Sequence, residues 1–333
     1  ATPLSHLKAS QACDLFLVVP ATANILAKFA NGIADDMLTT VVLAAKCPKL
    51  VSPAMNTGML ENPITQDNLA TLERYGFTVI PSESGVLACK DVGSGRLPKE
   101  EVLLEYILHT IARPKDLAGL RIAVTAGPTQ EALDPVRYLT NHSTGKMGYA
   151  VAQMAAERGA EVLLISGPSA LAVPPNVKAV QVESTNEMLE ACLAAYDGVD
   201  IVIKAAAVAD YRPRDVADQK IKKKTDDALT VVMDKNPDIL KTLGAKKTHQ
   251  VLVGFAAETQ NLLANAREKV VKKNLDMIVA NDVTAAGAGF NSDTNIVKFL
   301  YANGDVCELE QMPKVDVANR ILDEALRIRR ERV

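Results

Sequence analysis

Continuous apolar runs that alternate with amphipathic stretches constrain this chain more than any other feature. "DLFLVVPA" is followed by "ANILAKFANGIADDMLTTVVLAA", "KLVSPAM" by "NPITQDNLATLERYG", and then comes "FTVIP". An uninterrupted apolar run of strand length is buried on both faces, which requires a parallel sheet with helices on either side. The same alternation restarts at "LRIAVTAG" and continues through "AEVLLISG", "VDIVIKAAAV", "QVLVGFAAE" and "DMIVAND". The segment "RPKDLAG" between the two series is punctuated by Pro114 and Gly119, so the boundary is expected there. The predicted fold class is α/β, with two doubly wound parallel-sheet domains. A late hairpin, "NIVKFLYANGDVCELE", is expected to turn at Asn303 and Gly304.

At 333 residues the chain is longer than one ordinary domain, and its formal net charge of -3 gives no basic footprint for nucleic acid. No apolar run is long enough for a transmembrane helix, and "ATPLSHLKAS" lacks the basic-then-apolar pattern of a secretory signal. The five cysteines are widely spaced with no CxxC pair, so neither a disulfide framework nor a zinc site is expected. A cytoplasmic, reducing location fits best. A chain beginning without Met is expected to be a fragment or a processed product.

Ligands of open parallel sheets bind at the carboxyl ends of the strands. The first strand of the second series leaves through a long polar detour, "GPTQEALDPVRYLTNHSTGKMG", which brings Asn141, His142, Ser143, Thr144, Gly145 and Lys146 to a helix start expected near Ser143. A Ser or Thr cap, close-approach glycines and a lysine at a helix N-terminus favour an anion, most plausibly phosphate. Local pattern alone leaves an ordinary capped helix equally open. Other strand ends shift the balance. "KAAAVADYRP" supplies Asp210, a carboxylate suited to Mg²⁺, ahead of the lysine run Lys220, Lys222, Lys223 and Lys224. "GFAAET" supplies Phe255 and Glu258, and the next helix carries Lys269 and Lys273, four apart and so on one face.

The first series offers different chemistry. "PATAN" runs from a strand end into a helix with Thr22 and Asn24, and "PAMN" places the Asn56 amide at a second strand end. Cys89 sits in the Gly-rich segment "ESGVLACKDVGSGR", which reads as a flap. His6 precedes a helical stretch and is a candidate base, although a lone histidine is more often structural.

"DPVRYLTNHSTGKMG", "AAAVADYRP", "KIKKK", "NPDIL", "VGFAAET", "KKNLD", "ANDV" and "GFNSD" together resemble the ligase half of the bacterial bifunctional coenzyme A biosynthesis proteins. "SHL", "PATAN", "PAMN" and "ACKDVGSGR" resemble their flavin-dependent decarboxylase half. The likeness covers essentially the whole chain in the expected order. It implies a flavodoxin-like phosphopantothenoylcysteine decarboxylase domain over 1–112 and a Rossmann-like phosphopantothenate-cysteine ligase domain over 117–333. By the same resemblance the ligase activates 4'-phosphopantothenate with CTP and Mg²⁺ as an acyl-cytidylate, which the cysteine amine then converts to an amide. Asn141 is expected to stabilise that acyl-cytidylate and Lys220 to assist its formation. Ala206, Ala207, Asp210, Asn236, Pro237, Asp238, Ile239, Phe255, Lys269 and Lys273 match CTP-binding positions, with Asp210 also the metal ligand. In the FMN-dependent half, His6 matches the base, Asn56 the ligand of the substrate carboxylate, Cys89 the flap thiol, and Thr22 and Asn24 the FMN-lining motif.

The resemblance also implies ligase dimers and decarboxylase trimers that combine as a dodecamer. In one respect the chain departs from the pattern. The family's decarboxylase domain opens with a strand, a phosphate loop and a helix that have no counterpart ahead of His6, so an N-terminally incomplete flavoprotein domain is expected. The alternative is a working ligase beside an inactive or regulatory flavoprotein half. A dinucleotide dehydrogenase would share the sheets, but "TAGPTQEALDPVR" does not supply GxGxxG. A noncatalytic flavoprotein regulator would leave the second series unexplained.

Overall fold

A computed structural model describes residues 5–86, 92–222, 229–258, 262–282 and 292–332. The chain divides into two compact units, Ala1–Pro114 and Lys115–Val333. In the first, α1 (Ser5–Ala12) leads into β1 (Phe16–Ala21), α2 (Ala23–Ala30), α3 (Met37–Ala44) and β2 (Lys49–Pro53). The short α4 (Thr57–Leu60), α5 (Pro63–Arg74) and β3 (Phe77–Val79) follow, then a hairpin of β4 (Glu83–Val86) and β5 (Val92–Arg96), then α6 (Glu100–Ile111). The strands pair in parallel in the order β1-β2-β3 around a core of Val18, Leu26, Phe29, Val51 and Leu72.

The amphipathic stretch from Ala23 to Ala45 forms two helices rather than one. Helix α2 ends at Asn31, and Gly32 follows in the left-handed region at φ 68°. Asp36 then starts α3 through a reciprocal capping box, its carboxylate accepting from the Thr39 N–H at 2.8 Å. Apolar periodicity runs through both helices, which is why it hides the break.

The second unit is built on β6 (Arg121–Ala126), from which the detour leaves as a small antiparallel hairpin, β7 (Gln130–Ala132) and β8 (Tyr138–Thr140). Next come α7 (Lys146–Glu157), β9 (Glu161–Ser166), β10 (Val177–Gln181), α8 (Thr185–Tyr196) and β11 (Ile201–Lys204). A second small ribbon, β12 (Tyr211–Pro213) with β13 (Met233–Lys235), precedes α9 (Ile239–Lys246), β14 (Val251–Glu258), α10 (Leu262–Lys272) and β15 (Met277–Asp282). The chain closes with β16 (Thr294–Asn295), β17 (Val297–Tyr301), β18 (Val306–Glu308), β19 (Met312–Pro313) and α11 (Lys314–Arg330). The expected turn at Asn303 and Gly304 joins β17 to β18.

The main sheet runs β10-β9-β6-β11-β14-β15-β17-β18, with its first six strands parallel and the last two antiparallel. Strand order reverses between β6 and β11, the point at which a doubly wound sheet opens a crevice above its strand ends. One face, carrying Ile122, Val124, Ile201 and Ile203, packs on α7 and α11. The other, carrying Ala123, Val202 and Leu252, packs on α8, α9 and α10. Each of these buried isoleucine, valine and leucine side chains contributes about 1.5–3 kcal/mol relative to exposure.

Candidate active site at the strand reversal

A cavity of about 500 Å³ lies over the carboxyl ends of β11, β14 and β15 and beside the start of α7 in the second unit. It gathers, from separate stretches of sequence, Asn141 to Gly148, Lys204 to Asp210, Lys235 to Leu240, Phe255, Lys269 and Lys273. Of the residues expected in the ligase site, Asn141, Ala206, Ala207, Asp210, Asn236, Pro237, Asp238, Ile239, Phe255, Lys269 and Lys273 therefore share one wall system. Lys220 is described but is not among the lining residues.

The helix at the end of the detour begins at Lys146, not near Ser143. Its cap is Gly145, held at φ 83° with no side-chain cap bond, in a backbone region that a β-carbon disfavours. Ser143 and Thr144 serve the turn instead: the Ser143 hydroxyl accepts from the Gly145 N–H at 3.3 Å and the Thr144 hydroxyl from the Lys146 N–H at 3.5 Å. Gly148 lets this first turn lie directly on β6, since a β-carbon there would stand 2.6 Å from that of Ala126. The helix N-terminus thereby faces the cavity, with its dipole directed toward an anion there.

Two groups of lysines line the cavity, each with one aspartate. Beside α7, Lys146 pairs with Asp293 at 2.7 Å, and Lys314 is 7% exposed at the start of α11. Burial, reinforced by the neighbouring Lys146, lowers the Lys314 pKa despite Asp293. On the opposite face of the sheet, Lys273 pairs with Asp238 at 2.7 Å, next to Lys204. Burial raises the Asp238 pKa, but the Lys273 ammonium and the Lys241 N–H outweigh it and hold the carboxyl below its usual value. Burial and the adjacent Lys273 push Lys204 down to about 8.

The loops forming the cavity are stitched together by polar groups in the interior. Asn236 is 6% exposed, and its amide donates to the Ala209 carbonyl at 2.9 Å and to the Thr185 hydroxyl at 3.2 Å, while its oxygen accepts from Arg212 at 2.9 Å. The amide of Ala207 is likewise occupied by the Gly127 carbonyl at 2.9 Å, and that of Ala206 by the Thr125 hydroxyl at 3.2 Å. The Asn281 amide oxygen on the cavity wall is buried without a hydrogen-bond partner among the described residues. Such an acceptor is costly unless a ligand completes it.

Sequence patterns did not single out Lys204, Asn281 or Lys314, because a lysine or asparagine beside an apolar run has no signature of its own. Nor did they single out Asp134. Its carboxylate accepts from the N–H groups of Val136 and Arg137, both at 2.9 Å, from the Arg137 guanidinium, and from the Ile221 N–H at 3.0 Å. Arg137 in turn donates to the Ile221 carbonyl at 2.8 Å. The residue next to Lys220 is therefore clamped to the detour. Among the described residues no cluster of three histidine, cysteine, aspartate or glutamate side chains forms a metal cage.

In the first unit, Ala21 of β1 lies beside Pro53 of β2, so the two helix starts that follow are neighbours. Thr22 caps α2, accepting from the Ile25 N–H at 3.4 Å, with Asn24 in its first turn, and Asn56 caps α4, accepting from the Gly58 N–H at 2.9 Å. The β4–β5 hairpin holds this turn through the Met55 N–H to the Gly95 carbonyl at 3.0 Å and the Thr57 hydroxyl to the Ser94 carbonyl at 2.7 Å. Cys89, Lys223 and Lys224 lie outside the described residues, and His6 falls within α1. No helix of the described residues is long and apolar enough to cross a membrane.

Comparison with known proteins agrees in both units. Residues 117–328 match the DNA/pantothenate metabolism flavoprotein C-terminal domain, and residues 1–112 match the Flavoprotein family. The coenzyme A biosynthesis bifunctional protein CoaBC of Bacillus subtilis is 49% identical over 96% of this chain and 80% of its own length. That of Escherichia coli K12 is 44% identical with the same coverage of each. Among solved structures, the C-terminal domain of a CoaBC protein covers 65% of this chain and 98% of its own at 46% identity and a TM-score of 0.56. A DNA/pantothenate metabolism flavoprotein from Streptococcus pneumoniae covers 62% and 98% at 26% identity and a TM-score of 0.53. The chain therefore belongs to the bifunctional coenzyme A biosynthesis family, as an enzyme with phosphopantothenate-cysteine ligase and phosphopantothenoylcysteine decarboxylase activities.

Proposed function

We propose that the cavity of the second unit joins 4'-phosphopantothenate to cysteine at the expense of CTP, with 117–333 as the ligase domain and 1–112 as the decarboxylase domain. One observation carries this reading: a single cavity at the strand reversal presents two separate lysine groups, one on each face of the sheet. Two phosphorylated substrates that repel one another need two such groups. Attack of the pantothenate carboxylate on the α-phosphorus of CTP releases pyrophosphate and forms the acyl-cytidylate; the cysteine amine then displaces CMP. Lys269 and Lys273 hold the nucleotide beside Asp238, and the α7 N-terminus with Lys146 holds the substrate phosphate. Asn141 orients the reacting carboxylate, and Lys220 neutralises charge that develops on the phosphates. The acidic side chains fit a Mg²⁺ carried in by the nucleotide with Asp210 as its protein ligand, since Mg²⁺ on phosphates needs only one or two carboxylates.

The paired helix starts of the first unit, with Thr22, Asn24 and Asn56, fit FMN, whose phosphate and ring edge need hydrogen-bond donors of this kind. FMN, when bound, would take two electrons from the cysteine moiety to let carbon dioxide leave and return them to the decarboxylated product, so that no external oxidant is consumed. Asn56 holds the substrate carboxylate, His6 takes up a proton, and Cys89, which lies outside the described residues, serves the return reduction and protonation. A cytoplasmic enzyme assembled from ligase dimers and decarboxylase trimers completes the reading.

The test is pyrophosphate release with CTP, Mg²⁺ and 4'-phosphopantothenate, with and without cysteine. Release that needs both substrates, and CMP formation that also needs cysteine, is expected. An unmodified chain that releases no pyrophosphate from CTP would overturn the ligase reading.

A further inference from the structure

Lys204 ends β11 on a face of the sheet built for apolar packing. Two residues before it, Val202 is 2% exposed, and two residues after it, Ala206 is 6% exposed; both lie in the core formed with α8, α9 and α10. A lysine at this register displaces its ammonium from water into the cavity floor. There the nitrogen donates to the Ala206 carbonyl at 2.9 Å and pairs with no carboxylate among the described residues. The titratable groups around it are Lys273 after α10, Asp238 capping α9, the neutral Cys192 thiol on α8 and Asp210 beyond β11. Asp238 is already engaged by Lys273 at 2.7 Å and by the Lys241 N–H at 3.0 Å. Three lysines, Lys204, Lys269 and Lys273, thus line this end of the cavity against two aspartates, Asp210 and the already engaged Asp238. A half-buried ammonium with only a neutral acceptor is unfavourable until an anion arrives.

We propose that Lys204 is a further nucleotide-binding residue, donating to a phosphate oxygen of the triphosphate alongside Lys269 and Lys273. The inference rests on the ligase reading and deepens it. Binding also moves a proton. Free Lys204 has its pKa pushed down to about 8, by burial first and Lys273 second. The arriving polyanion raises that value, so near pH 8 the complex takes up about half a proton that the free protein lacks. Nucleotide affinity accordingly falls as pH rises above 8.

The experiment is titration calorimetry of the full chain with Mg²⁺-CTP at pH 8, in Tris and in HEPES, whose ionisation enthalpies differ. Lys204→Met and Lys204→Arg are compared with the unmodified protein, and cytidine serves as the phosphate-free control. The unmodified chain is expected to take up about half a proton, and Lys204→Met to take up none while losing roughly ten-fold in CTP affinity, the size of one hydrogen bond to a charged group. Lys204→Arg, permanently charged, keeps most of the affinity but takes up no proton. Cytidine binding is unchanged throughout. The proposal is overturned if Lys204→Met binds CTP as the unmodified protein does, if cytidine affinity falls in parallel, or if Lys204→Arg still takes up the proton. Should Lys204→Met fail to fold, the arginine variant and the proton count decide. An unmodified chain that neither binds nor turns over CTP indicts the ligase reading instead.

Discussion

The Asn141 amide donates to the Val208 carbonyl at 3.0 Å and to the Ala207 carbonyl at 3.3 Å, tying the detour after β6 to the loop after β11. This holds the side chain at the strand reversal with its amide oxygen left for a ligand. Asn141→Asp would place a carboxylate against two carbonyl oxygens and against the substrate carboxylate. CTP-dependent pyrophosphate release is expected to fall at least 100-fold while the circular dichroism spectrum stays unchanged; a variant with near-normal turnover would remove Asn141 from the chemistry.

The clamp on Ile221 predicts a different signature. Asp134→Asn weakens the anchor beneath Lys220 without touching the cavity lining, so kcat should drop about ten-fold with little change in the KM for cysteine. The Arg137 guanidinium, followed by the Ile221 N–H, holds the Asp134 carboxyl far below the usual carboxylate range. Because the folded value is depressed, the clamp stabilises above the unfolded value near 4 and is lost only as pH falls through the depressed one. The melting temperatures of the two proteins should differ at pH 7 and approach one another below pH 4.

Close packing of α7 on β6 leaves no space at Gly148. Gly148→Val should lower stability by about 2–4 kcal/mol and weaken substrate binding together, because the helix start must move off the strand. Denaturant titration and the KM for 4'-phosphopantothenate read the two effects; a valine accommodated without either would show that this contact does not set the position of the helix.

Asp276 sits 4% exposed, accepting from the Leu252 N–H at 2.8 Å and pairing with Lys247 at 3.0 Å and with Arg332. Removing one member of a buried pair strands the other. Asp276→Ala is expected to cost about 3–5 kcal/mol of unfolding free energy. Urea unfolding measures it, and a loss below about 1 kcal/mol would mean that Lys247 is satisfied elsewhere.

Much of this architecture was legible in the chain. Buried strands such as "RIAVTA" and "IVIK" announce themselves because both faces must be apolar, and the NG turn at Asn303 announces its hairpin. The break between α2 and α3 was not legible, since Gly32 and Asp36 interrupt a pattern that stays apolar on both sides. The helix start moved from Ser143 to Lys146 because a left-handed glycine replaced side-chain capping there, and hydroxyls in the preceding turn look the same in sequence. Lys204, Asn281 and Asp134 were missed for a common reason. Their roles depend on what lies opposite them across 30 to 90 residues of chain, and no local pattern encodes a missing or shared partner.

The division of the cavity between two faces of one sheet has a consequence for how the enzyme can be tuned. On the proposed function, the strand ends act as a partition between two polyanions, each neutralised by its own cations rather than by a common set. A substitution that changes the grip on one substrate leaves the electrostatics of the other nearly intact. On that reading the two affinities would be separate inheritances, free to drift apart in descendants of this chain while the chemistry at the rim between them stays fixed.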